Sequence, residues 1–203
     1  MNTKLITRKE FKVAEAFPDG KWYTEVDRFH GLAHLHLKRL KQFAAQVSDA
    51  WPVAPNLKLN AELIALAGER DAASDIARMF AAMAIEAFLN YYGAVRLGED
   101  EYKAHFERLG IVPKTRQLLL ICDAKNVSES DPLIQALKDV FDGRNSLVHP
   151  KAKKASASDS PLKHGLPIPE TAQNAVDAMD RFFREFLSLV PDSIYFINVL
   201  RRN

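Results

Sequence analysis

Between residues 21 and 50, apolar side chains recur at Val26, Phe29, Ala33, Leu37, Leu40 and Ala44. That spacing is near 3.6 residues and predicts a long amphipathic helix. The run Trp51-Pro52-Val53-Ala54-Pro55-Asn56 ends it, because the residue before each proline is pushed out of the α region. A second helix is predicted from about Ala61 or Asp71 to Leu97. Ile76, Phe80, Met83, Ala87, Tyr91 and Val95 form one stripe of it, and Met79, Ile85, Phe88 and Tyr92 widen that stripe. A helix apolar over so much of its circumference belongs at the centre of a bundle. Shorter helices are predicted over residues 99–108 and 114–125, separated by Gly110-Ile111-Val112-Pro113. Asp131-Pro132 then supplies an N-cap followed by proline at the first helical position. The helix it opens carries Leu133, Leu137, Val140, Phe141 and Val148, and a last amphipathic helix is expected over residues 170–190 through Val176, Met179, Phe183, Phe186 and Leu187.

The stretches between these elements lack such a period. Residues 1–20 read as an irregular arm closed by the turn Pro18-Asp19-Gly20. Residues 151–169, KAKKASASDSPLKHGLPIP, combine serines, prolines and four lysines, and read as a long mobile loop. The tail IYFINVL is apolar but too short to assign to helix or strand. The expected architecture is all-α: an antiparallel helical bundle forming a single domain over residues 21–203, with its core within 70–190.

Composition changes this picture little. Of 203 residues 47% are hydrophobic and 27% charged, and the net charge is +2. No bulk electrostatic case for nucleic acid or membrane follows, so any basic site must be local. The one cysteine, Cys122, excludes an internal disulfide and an all-cysteine metal site, and reads most simply as a small core residue. This usage fits a reducing cytoplasm. The N-terminus has no apolar signal-peptide segment, and the weakly charged run 79–95 is interrupted by Glu86. It reads as a buried core helix, and no membrane association is expected.

The candidate chemistry sits at the end of the fifth helix, in Arg144-Asn145-Ser146-Leu147-Val148-His149-Pro150. With 13 arginines and six histidines, about 0.4 Arg-x4-His matches are expected by chance, so spacing alone carries little. The setting adds weight. Arg144 continues the apolar stripe of Leu133, Leu137, Val140 and Val148, where a cation needs a partner. Asn145 and His149 lie four apart on one face, which allows the amide to orient the imidazole. Pro150 ends the helix at His149, where unpaired carbonyls and the helix dipole favour imidazolium. Lys151, Lys153 and Lys154 follow, and from Lys138 to Lys154 five basic and two acidic residues leave 5 − 2 = +3. These lysines are candidate phosphate contacts, against a plainer reading as a solvated loop.

RNSLVHPK resembles the Arg-x4–6-His signature of the HEPN superfamily, including the polar residue that often follows the arginine. AAMAIEAFLNYYG in the second helix is similar in a more diffuse way, and the resemblance covers about residues 70–190. It implies an all-helical bundle, often a homodimer whose two motifs meet at the interface. Many members are metal-independent ribonucleases of toxin–antitoxin and antiviral systems, whereas others are inactive partners. A toxin subset carries His-x-Tyr, the tyrosine accepting a nucleotide from a partner antitoxin. Lys151 stands at that position here, so this mode of control is not implied.

The residue types suit RNA cleavage without a cofactor. A histidine titrating near neutrality moves protons and an arginine fork neutralises phosphate oxygens. Five residues on a helix turn through about 140°. Arg144 and His149 of one chain therefore point apart, and a site built from two chains at a two-fold axis reconciles them. The expected partners are RNA, a second copy of the chain, and an antitoxin or other protein.

Three readings compete. The first is a metal-independent endoribonuclease with Arg144 and His149 catalytic, and Asn145 and Glu86 orienting. The second is a catalytically silent HEPN module for dimerisation or partner binding. The third is a metal-binding helical protein using His30 and His34, which stand one turn apart but are accompanied by no HExxH, carboxylate or cysteine partner. Packing alternatives stand beside each: a structurally paired Arg144 with His149 as a helix cap, Glu86 in a salt bridge, and surface histidines at 30, 34 and 36.

Overall fold

The computed structural model describes residues 24–50, 61–148 and 169–196. In chain order these form α1 (Val26–Ala50), α2 (Ala61–Leu97), α3 (Glu99–His105), α4 (Ile111–Asp123), α5 (Pro132–Val148) and α6 (Pro169–Leu189), followed by a 3₁₀ turn at Pro191–Phe196. No strand occurs among the described residues, and the chain is an all-α helical bundle. None of these helices is long and apolar enough to cross a membrane. The proposed arm 1–20, and all of the proposed loop 151–169 but its last residue, lie outside the described residues.

Three boundaries differ from expectation. α1 begins at Val26 and not at 21, because the Thr24 hydroxyl accepts the Val26 N–H at 3.3 Å and closes its first turn. α4 begins at Ile111, so the segment expected as a separator is helical. Pro113 is then the third residue of the helix, where no backbone donor is required and a proline costs little. Pro169 belongs to α6. The Asp131-Pro132 signal matches the structure: the Asp131 carboxylate accepts the Leu133 N–H at 2.9 Å, and its carbonyl accepts that of Gln135.

α2 is the centre of the bundle. α1 lies along it with Phe29 stacked on Phe80, and α6 lays Phe182, Phe183 and Phe186 around Phe88. These three α6 rings are essentially buried, each contributing about 1.5–3 kcal/mol relative to exposure. α5 packs against α6 and α2 through Leu133, Leu137, Val140 and Phe141. The continuous core includes Val26, Ala33, Leu37 and Leu40 and runs to Val190, so α1 is part of it although the motif-bearing resemblance starts near residue 70. Cys122 is buried in it.

The short helices close one end of α2. Tyr102 of α3 packs where Gly93 leaves no side chain, and a Cβ at Gly93 would collide with its ring. The Tyr102 hydroxyl donates to Asn90 at 2.5 Å. Alanine at 93 gains helix propensity of up to about 1 kcal/mol, but overpacking at a ring pinned at both ends outweighs it. Gly93→Ala should therefore lower stability by about 1–2 kcal/mol, a fall of about 2–8 °C in Tm by calorimetry. An unchanged Tm would mean that α3 moves aside freely.

Candidate functional site

The last two turns of α5 emerge from the core. Val140 is fully buried and Phe141 nearly so, Arg144 is half-buried, and Asn145 and Ser146 are exposed. Val148, expected on the buried stripe, is 41% exposed, since the buried run of α5 ends at Phe141. The stripe thus continues beyond the chain's own core. His149, Lys151, Lys153 and Lys154 lie outside the described residues.

α2 holds this helix end through a residue the sequence reading missed. The Arg78 guanidinium donates from Nη2 to the Gly143 carbonyl at 2.6 Å and to Ser146 Oγ at 2.7 Å. Ser146 Oγ in turn donates to the Gly143 carbonyl at 2.7 Å, closing a three-membered network. Arg78 is only 7% exposed. Burial lowers its pKa from the ordinary value, with Asp75 at 3.6 Å opposing the shift. The signal available in sequence is Arg70, Ser74 and Arg78, polar residues at four-residue intervals beside the apolar Ala73, Ala77 and Ala81, and all three are buried.

Arg144 is placed differently. Among the described residues its guanidinium meets no carboxylate, and Nη1 donates to Asn145 Oδ1 at 3.2 Å. Asn145, expected to orient His149, is here the partner of Arg144. Glu86, the other expected orienting residue, makes no ion pair with Arg144. It lies about two turns beyond Arg78 on α2, where its charge acts on Lys114 and Tyr102. Lys114 is buried, which lowers its pKa against the opposing charges of Glu86 and Glu107, and its Nζ donates to Asn90 and to the Glu107 carbonyl. Glu86 therefore serves a buried polar cluster beneath α3 and α4.

The local +3 is redistributed by tertiary contacts. Lys138 pairs with Glu129 at 2.6 Å, and Asp139 with Arg181 of α6 at 2.6 Å. A groove of about 810 Å³ runs between α5 and α6 beside Gly143. Its charged lining is Asp139, Asp142, Glu170 and Asp177 against Arg181 and Arg184, which gives 2 − 4 = −2. The described lining on this side of α5 is thus net acidic.

One constellation is assembled across the fold. His30 and His34 of α1 both turn Nε2 to Asp180 of α6, at 2.7 and 3.2 Å. The carboxylate that the sequence reading found missing beside these histidines is thus supplied from 150 residues away. Against the burial that would raise it, hydrogen bonds and charge from the two rings hold the Asp180 carboxyl well below the usual carboxylate range. The hydrogen bond to Asp180 raises the pKa of His34. His36 instead lies against Phe80, and burial lowers its pKa. Comparison with protein-family models, with curated proteins and with solved structures finds no match to this chain.

Proposed function

We propose that this protein is a metal-independent endoribonuclease of HEPN type, acting as a cytoplasmic homodimer in defence, as a toxin, or in RNA processing. The observation that carries the reading is Arg144: a half-buried guanidinium on an ordered helix end, with no carboxylate to neutralise it among the described residues. A structurally paired arginine would have spent its charge within the fold, as Arg96 does on Asp123 at 2.9 Å. Among the described residues nothing neutralises the Arg144 cation, which suits it to phosphate. Arg78 fixes the backbone of the same two turns, so the cation is presented from a defined position.

In the proposed reaction the ribose 2′-oxygen attacks the adjacent phosphorus and the bond to the 5′-oxygen of the next nucleotide breaks. His149 moves the proton, and Arg144 neutralises the charge gathering on the phosphoryl oxygens. The acidic lining of the α5–α6 groove disfavours RNA there and favours approach from the Asn145 side of α5. Val148, exposed beside Arg144, is where a second copy would dock and bring its own motif to the first.

The test uses purified protein with RNA, with DNA of the same sequence, and with RNA carrying single 2′-deoxy positions. Cleavage is expected to persist in excess chelator, to require the 2′-hydroxyl, and to leave 2′,3′-cyclic phosphate or its hydrolysed form. Light scattering should give a dimer at micromolar concentration. Equal cutting of DNA, or loss of cleavage in chelator, would sink the mechanism, and a monomer would sink the composite site. A dimer that cuts no RNA would favour the silent module.

A further inference from the structure

We propose that His30, His34 and Asp180 form a binding site for one divalent transition metal ion, with Zn²⁺ the expected occupant. The site is independent of the ribonuclease reading, since it lies where α1 meets α6 and uses no residue of the α5 motif.

The donor set carries the inference. Two imidazole nitrogens and one carboxylate oxygen are the ligands of open zinc sites, in which water takes the fourth position. The three donor groups lie within 4.8 Å of one another. Tetrahedral zinc with bonds near 2.1 Å keeps its ligand atoms about 3.4 Å apart, so modest rotation of the side chains admits the ion. Both rings already present the same nitrogen, Nε2, to one carboxylate. An ion would take the place between the two Nε2 atoms and the Asp180 carboxylate that they now face.

The surroundings suit such an ion. The one-turn spacing of His30 and His34 on α1 sets their ring centroids 4.6 Å apart, so two ligands come from one rigid element. His30 is 11% exposed at its side chain, with Phe183 edge-on at 6.0 Å, which walls the inner side with an apolar ring. His34 is 43% exposed, which leaves the outer side open to the fourth ligand. Asp177, one turn before Asp180, adds a second negative charge that is felt at His34. No lysine or arginine pairs with Asp180 among the described residues, so the carboxylate is not already neutralised by a fixed cation. Imidazole and carboxylate together favour Zn²⁺ over Mg²⁺ or Ca²⁺, which prefer all-oxygen sites.

The full chain, stripped with chelator and desalted, would be titrated with Zn²⁺ by calorimetry and with Co²⁺ by visible absorption. One ion per chain is expected, at micromolar Kd or tighter. Loss of outer partners alone costs about 10–100-fold in affinity, so His34→Ala and Asp180→Asn should each cost at least about a hundred-fold. His36→Ala, on the same helix but facing Phe80, should bind as the parent does. Saturation at a hundred times Kd should raise Tm by about 5–10 °C, and His34→Ala should abolish that rise. If Asp180→Asn does not fold, the half-exposed His34→Ala decides. Binding weaker than about millimolar, or binding that survives His34→Ala, would overturn the site. Cleavage that persists in chelator while the Zn²⁺-dependent Tm rise disappears would separate the metal from the RNA chemistry.

Discussion

Arg144→Ala and His149→Ala are each expected to lower RNA cleavage by about 10²–10⁴, and the double variant to fall little below the worse of the two. Removing a general acid or base typically costs about that much, and removing a charged donor to a developing oxyanion costs about 10²–10³. The two losses should not add in free energy, because the groups act on one transition state. Structure argues that Arg144→Ala will fold. Its guanidinium is half-buried and bonds only the neighbouring Asn145 among the described residues, so no core contact depends on it. Loss of activity with an unchanged melting curve would then report chemistry. Asn145→Ala should cost less than either, since it touches the cation and not the reacting atoms. Lys153→Ala should weaken RNA binding and flatten its salt dependence with little change in kcat. Full activity in the double variant would end the assignment.

Much of the fold was legible because it is written in local spacing. The breadth of the apolar surface on α2 marked it as central, and the Asp131-Pro132 pair located the start of α5 correctly. Errors arose where one residue has two meanings. Pro113 read as a separator, although in the first turn of a helix a missing N–H is harmless. Val148 fits the α5 stripe by spacing, yet periodicity cannot say where neighbouring helices stop covering it.

The site was less legible than the fold. A sequence places Glu86 on a helix but cannot say which end of the bundle that helix face meets, and the face meets Lys114. The count of +3 around the motif used every charge close in sequence, whereas the α5–α6 groove is lined by Asp139 and Asp142 but not by Lys138 or Arg144, and the two acids and two arginines from α6 cancel there. Asp180 is the extreme case, joined to His30 across 150 residues by tertiary packing alone. Arg70, Ser74 and Arg78 could have been found, because polar residues repeating every four positions beside Ala73, Ala77 and Ala81 form a buried seam that requires partners.

That seam leads to the second large effect. Arg78→Met is expected to lower stability by about 2 kcal/mol, a fall of about 4–8 °C in Tm, and cleavage by about 10–100-fold. Methionine fills similar space, so little cavity forms, but both charge-assisted bonds to Gly143 and Ser146 are lost. Such bonds contribute about 1.5–3 kcal/mol each. Removing a guanidinium that burial disfavours recovers part of this, and the Gly143 carbonyl keeps the Ser146 hydroxyl at 2.7 Å. The remainder is local, which makes the effect distinguishable from general destabilisation. Amide exchange should accelerate over residues 143–148 while the α5 core turns around Leu137 and Val140 stay protected. Arg78→Lys should give an intermediate rate, because both bonds leave the single Nη2 and the lysine Nζ, on a shorter side chain, stops short of its position. Ser146→Ala, which leaves Arg78 on the Gly143 carbonyl, should cost about 1 kcal/mol and less activity than Arg78→Met. If Arg78→Met keeps parental exchange at 143–148 and parental cleavage, the α5 end is held by other contacts and Arg78 is not its positioning residue.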